Sequence, residues 1–586
     1  MSFPGELYSF LYQDFFLTFG PYAGRVWKCL WAGAAVMLLT LTACLERRSQ
    51  TRELPGRVTD VAFCITCALT LLLCRLPSLW LDELNPDESG WIVGAGTLFH
   101  DPRVWHSVDS ATSGPLLVLP LTAIPLLHFS LNYASVRLFG ILVCLIPTVY
   151  FIYAGLSSLY SRTVARLSVL CLVFYLSFAR GKDTLAFNSE HIPLLLLSGS
   201  LYLLAWTVKN DHKATWLPLF TNGLLLGSIP YAKLQGMPLA AALAVSLIVS
   251  QLGRASDASR HVPLRRKIVF SRLFAFGAGL VSPSLVCLLY LNAFHLVPDF
   301  LQSYLKMNIA YAQTGFESQV PLAHRLWLLP RMLMHYEDVR YILLLAVLLV
   351  GSLCAIFAGR NIFAALRMRR FHCFLTVALV LAGYLAVVVP GNSFPHYLYL
   401  FMPPATVLFA YCVDLVLRVS PVEYHQGVRT SFLLLPMVAF SLSLSQGPVG
   451  VQVAAKGDLR HRQDKLVSVI QSKSRPGDRM AVWGWANNLY VHTGLIQGTR
   501  ESAPYYQIVH GPLQEYYLPR YVGDLERNSP QIFVDAVAPG QFYFQEPRFR
   551  HENYPLIDTI ISKRYDFVAD VNGVRVYRRR PPRAVE

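Results

Sequence analysis

The sequence predicts a mainly α, polytopic membrane protein with a small C-terminal α/β domain. Three observations carry this. Hydrophobic residues make up 54% of the 586 and charged ones only 15%. Apolar runs near bilayer length recur through the first three quarters of the chain. From about residue 450 the pattern changes to short strand-like stretches. Lipid offers no hydrogen-bond partner to an open backbone, so runs of about 20 residues are helices rather than strands.

In chain order, the segment 1–24, with Phe10, Tyr12, Phe15, Phe16 and Phe19, reads as an interfacial helix or part of an extra span. It has no basic start and no small-residue cleavage site, so it is not a cleaved signal peptide. The runs 26–45, 59–80, 133–158, 164–179, 190–208, 214–232, 237–252, 270–293, 341–358, 372–390, 397–418 and 430–446 follow. They make about twelve spans. Residues 1–449 form the membrane domain and 450–586 an outer domain. Two long connections, 81–132 and 294–340, contain semi-apolar pieces such as "GWIVGAGTLF" and "GPLLVLPLTAIPLL" that suit a membrane interface. In the outer domain "RMAVWGW" and "PQIFVDAV" read as buried strands, "ANNLYVHTG" as a helix and "YDFVADVNGVRVYRR" as a hairpin turned at Asn572-Gly573. The closing "RRRPPR" reads as a disordered tail touching headgroups. No internal repeat is present.

Basic residues set the orientation. One set of connections carries Arg47, Arg48, Arg52, Arg57, Arg162, Arg166, Lys209, Lys213, a run from Arg254 to Arg272, Arg360 to Arg370, Arg418 and Arg429. The opposite short connections hold Arg103, Arg180, Lys182 and Lys233. The positive-inside rule makes the first set cytoplasmic, so the opening stretch and everything after about 446 lie outside. Span orientation and anionic headgroups account for the net charge of +16, and no nucleic-acid partner is implied. The eleven cysteines lie in or beside spans, which argues against a disulfide framework or a cysteine metal site. No charge sits near the middle of a span, unlike ion-coupled transporters, which keep binding groups at the midplane.

Against this background "DELNPDESGWIVG" gathers Asp82, Glu83, Asp87 and Glu88 directly after an apolar run. A structural account exists: Asn85 as N-cap, Pro86 at the first helical position and Glu88 closing a capping box. Glu190 suits a helix N-terminus, Lys233 a snorkelling span end, and His396 with Tyr397 an aromatic belt. Yet topology places Asp82, Asp87, Glu88, Asp109, Lys182, Asp183, Glu190, Lys233, His396 and Tyr397 on one outer side. Carboxylates and cations at that depth suit a substrate with a lipid tail and an anionic head.

"NPDESGWIVGAGTLFHDPRVWHSVDSATSGPL" resembles the first outer loop of the GT-C superfamily of membrane glycosyltransferases, in the lipid A aminoarabinose transferase and protein mannosyltransferase-like branch. "GSIPYAKLQGMP" and "FPHYLYLFMPP" are similar to its later phosphate-facing spans, and "VWGWANNLYVHTG" resembles the outer domain of less characterised bacterial members. The resemblance implies an inverting transferase that moves one sugar from a polyprenyl-phosphate donor to a glycan, lipid or protein hydroxyl. It places the active site on the periplasmic face of a bacterial inner membrane. It puts the catalytic aspartate at Asp87, beside Glu88, and the donor phosphate on Lys233, His396 and Tyr397, with Lys182 and Arg180 in support. Asp109, Asp183, Glu190 and Gln235 are then substrate-binding. Where that branch carries a Lys-Pro-Pro, this chain has Ser113-Gly114-Pro115, which shifts the phosphate onto Lys233, Lys182, Arg180 or His396. Some relatives use a divalent metal ion, but nothing in the spacing demands one, and no cofactor is assigned. A non-catalytic assembly protein and a lipid-linked glycan transporter or ligase are the competing classes.

Overall fold

The computed structural model describes residues 23–51, 55–178, 181–211, 215–256, 262–314, 321–356, 369–445 and 457–581. The opening stretch through residue 22, Arg180 and the end of the basic tail lie outside the described residues. The chain divides into two compact units. One comprises Met1–Trp80, Arg137–Tyr290 and Ala310–Val451, the other Leu81–Val136, Leu291–Ile309 and Gln452–Glu586.

The first unit is helical. Among the described residues nine helices are long and apolar enough to cross a membrane: Lys28–Arg48, Gly56–Leu79, Tyr133–Leu159, His191–Lys209, Leu234–Gly253, Lys267–Ala293, Val339–Ile356, Arg370–Val388 and Pro395–Val419. The other three predicted runs fall on the helices Arg162–Phe178, Trp216–Ala232 and His425–Ser445. The protein is therefore a multi-pass, mainly α membrane protein. His191–Lys209 and Pro395–Val419 are 67% and 61% buried, whereas Val339–Ile356 is 6% buried, so the first two build the core and the last offers its apolar surface to lipid.

Two features hold this unit together. Trp216–Ala232 approaches Val262–Ala293 so closely that a Cβ added at Gly223, Gly227 or Gly279 would lie 2.0–2.1 Å from a carbonyl oxygen of the facing helix. At the other feature, the fully buried Arg166 joins Glu46 at 2.7 Å and Asp60 at 3.0 Å, and Tyr153 donates to Asp60 at 2.5 Å. A buried guanidinium at a span end is tolerated because carboxylates and the Thr59 hydroxyl take both of its terminal nitrogens.

The second unit contains a five-stranded sheet of order β2-β1-β3-β5-β4, with β1 Arg479–Trp483, β2 Ile496–Gln497, β3 Ile532–Asp535, β4 Tyr565–Val571 and β5 Val574–Arg579. β1 runs parallel to β2 and β3, and the β4–β5 hairpin adds antiparallel. Asn572 and Gly573 both have positive φ, as a two-residue hairpin turn requires. The strands named from sequence are β1 and β3, and the helix between them is Asn488–Thr493. The helix Pro86–His100 belongs to this unit: Val93 is buried with Met480, Val482, Ile532 and Val534, and Thr97 accepts from the Gln497 amide at 3.3 Å.

Candidate functional site

In the first unit, an irregular stretch ends one helix and starts the next wherever a candidate residue sits. Pro230 lies within the last turn of Trp216–Ala232, and Lys233 leaves the helix in an extended conformation before the turn Leu234–Gly236. The break turns the Lys233 side chain inward, 6% exposed. Its Nζ donates to the Ser189 hydroxyl at 2.6 Å and to the Glu190 carboxylate, and it lies 5.1 Å above the Tyr397 ring. Glu190 is fully buried.

His396 and Tyr397 come from the turn Pro395–Tyr397, which opens the helix Leu398–Val419. His396 stacks on Phe394, rings 8° from parallel, and its Nδ1 lies 3.4 Å from Asp183. Tyr397 lies hydroxyl to hydroxyl with Tyr311 at 3.1 Å, and Asn392 donates to Tyr311 at 2.8 Å. Arg325 fixes that segment by donating to the carbonyls of Ala312, Gln313 and Val389.

Asp183 and the exposed Lys182 sit on the short helix Lys182–Leu185, whose Thr184 carbonyl accepts from Arg75 at 2.8 Å and Tyr399 at 2.5 Å. Lys182, Asp183, Tyr336 and Leu398 help line a half-open cavity of about 260 Å³. The structure thus gathers Lys182, Asp183, Glu190, Lys233, His396 and Tyr397. Gln235 donates to the Ala386 carbonyl at 2.7 Å, a helix-linking role. Tyr311, Asn392 and Arg75 carried no sequence signal.

In the second unit, Asn85 caps the helix Pro86–His100 by accepting from the Asp87 amide at 2.9 Å, with Pro86 at its first position. Asp87 is exposed, whereas Glu88 is fully buried. Glu83 accepts from Ser89 at 2.5 Å, and Ser89 lies 2.8 Å from the Tyr133 hydroxyl. Burial pushes the Glu83 carboxyl up to about 7, the range of a working general acid or base. In the sequence Glu83 is one of four clustered carboxylates and nothing singles it out, because burial is invisible in a carboxylate's neighbours along the chain. Asp109 is held by Arg520, which also binds Glu501, and its side chain is 1% exposed. That carboxylate is committed to packing within its unit.

Among the described residues, Asp535, His551 and Glu552 have ligand-type atoms within 4.8 Å of one another. Arg575 donates to both carboxylates there, and His551 Nδ1 lies 2.6 Å from Asp535. A guanidinium already neutralises the group, which does not fit a divalent cation.

No family model matches the chain, and no curated protein matches it. Solved structures do. ArnT from Cupriavidus metallidurans in the apo state has TM-score 0.51 at 12% identity, covering 89% of this chain and 98% of that one. The same protein bound to undecaprenyl phosphate has TM-score 0.50 at 12% identity, covering 88% and 97%. The oligosaccharyltransferase of Archaeoglobus fulgidus in its apo form has TM-score 0.45 at 11% identity, covering 87% and 73%. The likeness to ArnT shows a shared fold over most of both chains.

Proposed function

We propose that this chain is an inverting glycosyltransferase that moves one sugar from a polyprenyl-phosphate donor to an acceptor hydroxyl on the outer face of the bacterial inner membrane. The observation that carries it is the convergence of Lys233, Lys182, His396 and Tyr397 at span ends in a fold shared with a protein solved with undecaprenyl phosphate. Charged groups at that depth are costly unless used or paired.

In the reaction, the acceptor oxygen attacks the anomeric carbon, the bond from that carbon to the phosphate oxygen breaks, and the acceptor proton passes to Asp87. The electron pair leaves with the phosphate, so the lipid becomes a monoester with one more negative charge. Lys233 and Lys182 stabilise that charge, and loss of one such donor costs about 3 kcal/mol in the transition state. Asp87 is solvent-exposed and carries no catalytic burden in capping, since Asn85 does that. Asp183 orients His396, and sugar hydroxyls have Asp183 and Tyr336 to bond with. The acceptor is a lipid, a glycan or a protein.

Mass analysis of envelope glycans from cells with and without the gene identifies the transferred sugar. With that donor, Asp87→Asn abolishes transfer and keeps donor binding, while Lys233→Met weakens binding. Full transfer by Asp87→Asn removes the base assignment. A scaffold keeps its cellular role in both variants, and a transporter moves lipid in proteoliposomes without any acceptor.

A further inference from the structure

The ammonium of Lys233, the group best placed to take phosphate oxygens, is already seated on a carboxylate. Glu190 is fully buried and accepts from Lys233 and from the Ser189 hydroxyl. A phosphate on Lys233 therefore lies within a few ångströms of a buried negative charge. An ion pair this deep is weak as a stabilising device, because desolvation offsets most of the attraction. Its effect on a third charge is not offset.

Among the described residues, Lys233 is paired with Glu190, and Asp183 faces His396. His396 is charged only when protonated. A phosphodiester carries one negative charge. A phosphomonoester at neutral pH carries nearly two, so the buried Glu190 carboxylate repels it more strongly. We propose that Glu190 makes the seat selective for singly over doubly charged lipid phosphate, and so expels the lipid monoester that the transfer leaves behind. This rests on the reading of the chain as a polyprenyl-phosphate-dependent transferase.

The order of events follows. Before bond cleavage the donor diester brings one negative charge to the seat. In the transition state the second charge is only partly developed, and Lys182 and Lys233 take it up. Once cleavage is complete the full second charge meets Glu190, and release follows. At the distances and effective dielectric of a partly buried pair, removing one such repulsion changes the preference between the two phosphates by at least about tenfold.

The test measures binding of a short-chain polyprenyl phosphate and of its methyl diester to the full chain in detergent. The wild type should favour the diester. Glu190→Gln should tighten the monoester at least tenfold relative to the diester, and Glu190→Asp should keep the wild-type preference. If Glu190→Gln does not fold, Lys182→Gln at the exposed rim decides, since removing a cation should weaken the monoester more than the diester. Binding of both lipids with an unchanged ratio in these variants overturns the role of Glu190 and leaves the transferase reading standing. Binding of neither lipid to the wild type overturns the transferase reading itself.

Discussion

Arg75 lies 3.0 Å from the Tyr399 hydroxyl, and both side chains donate to the one carbonyl of Thr184. Arg75 also donates to Leu176 at 2.7 Å, so three acceptors depend on a guanidinium that is 2% exposed. The turn it holds carries Lys182 and Asp183. Arg75→Met should destabilise the protein by about 3 kcal/mol, since buried acceptors left without a donor cost about 1–3 kcal/mol each and some relax toward one another. Because the turn then shifts, donor KM should rise in the variant, and Arg75→Lys should restore part of the stability but not the KM. Thermal unfolding in detergent and donor titration measure the two effects. An unchanged KM in a folded Arg75→Met protein removes the positioning role.

Helix packing gives a sharper prediction. Gly227 meets the backbone of Leu280, whereas Gly277, on the same facing helix, has no heavy atom within 4 Å of where its Cβ would be. Gly227→Val should cost about 3 kcal/mol or more, because the two helices must separate. Gly277→Ala should be neutral or slightly stabilising. Since Trp216–Ala232 delivers Lys233, the valine variant should also lose donor affinity if it folds. Equal expression and unfolding temperature for both variants refute the close approach.

The limits of sequence reading follow from where these interactions lie. Polar residues at span ends stand out against hydrocarbon, so Glu190, Lys233, His396 and Tyr397 were legible one by one. Their pairing was not: Lys233 and Glu190 are 43 residues apart, and which cation meets which carboxylate is settled by helix packing. Asp109 shows the cost. As a carboxylate in an outer loop it read as substrate-binding, yet its partner Arg520 is 411 residues away. In the sheet, the Asn572-Gly573 hairpin was legible because positive φ restricts the residues that fit. β2, two residues long, has no periodicity to read, and the placement of β3 between β1 and β5 depends on tertiary pairing.

Arg520 is the next test. It binds Asp109 and Glu501, lies 3.6 Å from Asp299, and stacks its guanidinium over Tyr517 at 4.7 Å. Replacing it with methionine keeps much of the volume and strands buried carboxylates, which costs about 3–5 kcal/mol. Arg520→Met combined with Asp109→Asn and Glu501→Gln should recover most of the loss, because the stranded charges are then gone. A triple variant no more stable than the single one would show that ring stacking, not charge, is what Arg520 supplies.

Glu83 predicts a pH dependence of opposite sense to the usual carboxylate. Burial is the main cause that lifts its carboxyl from 4.5 to about 7, helped by Asp82 and Glu88 and opposed by the Ser89 hydrogen bond and His492. Between those two values the folded chain holds a proton that the unfolded chain has released, so protonation favours folding. The contribution is therefore complete below about pH 4.5 and is lost as pH rises through about 7. A shift of this size corresponds to about 3 kcal/mol. Burial raises the Glu501 carboxyl in the same direction. Unfolding temperature should fall from pH 5 to pH 7.5 in the wild type, less steeply in Glu83→Gln, and least in Glu83→Gln combined with Glu501→Gln. Parallel pH profiles for wild type and the Glu83→Gln variant would mean that Glu83 is ionised in the fold, with a cation close enough to outweigh its burial.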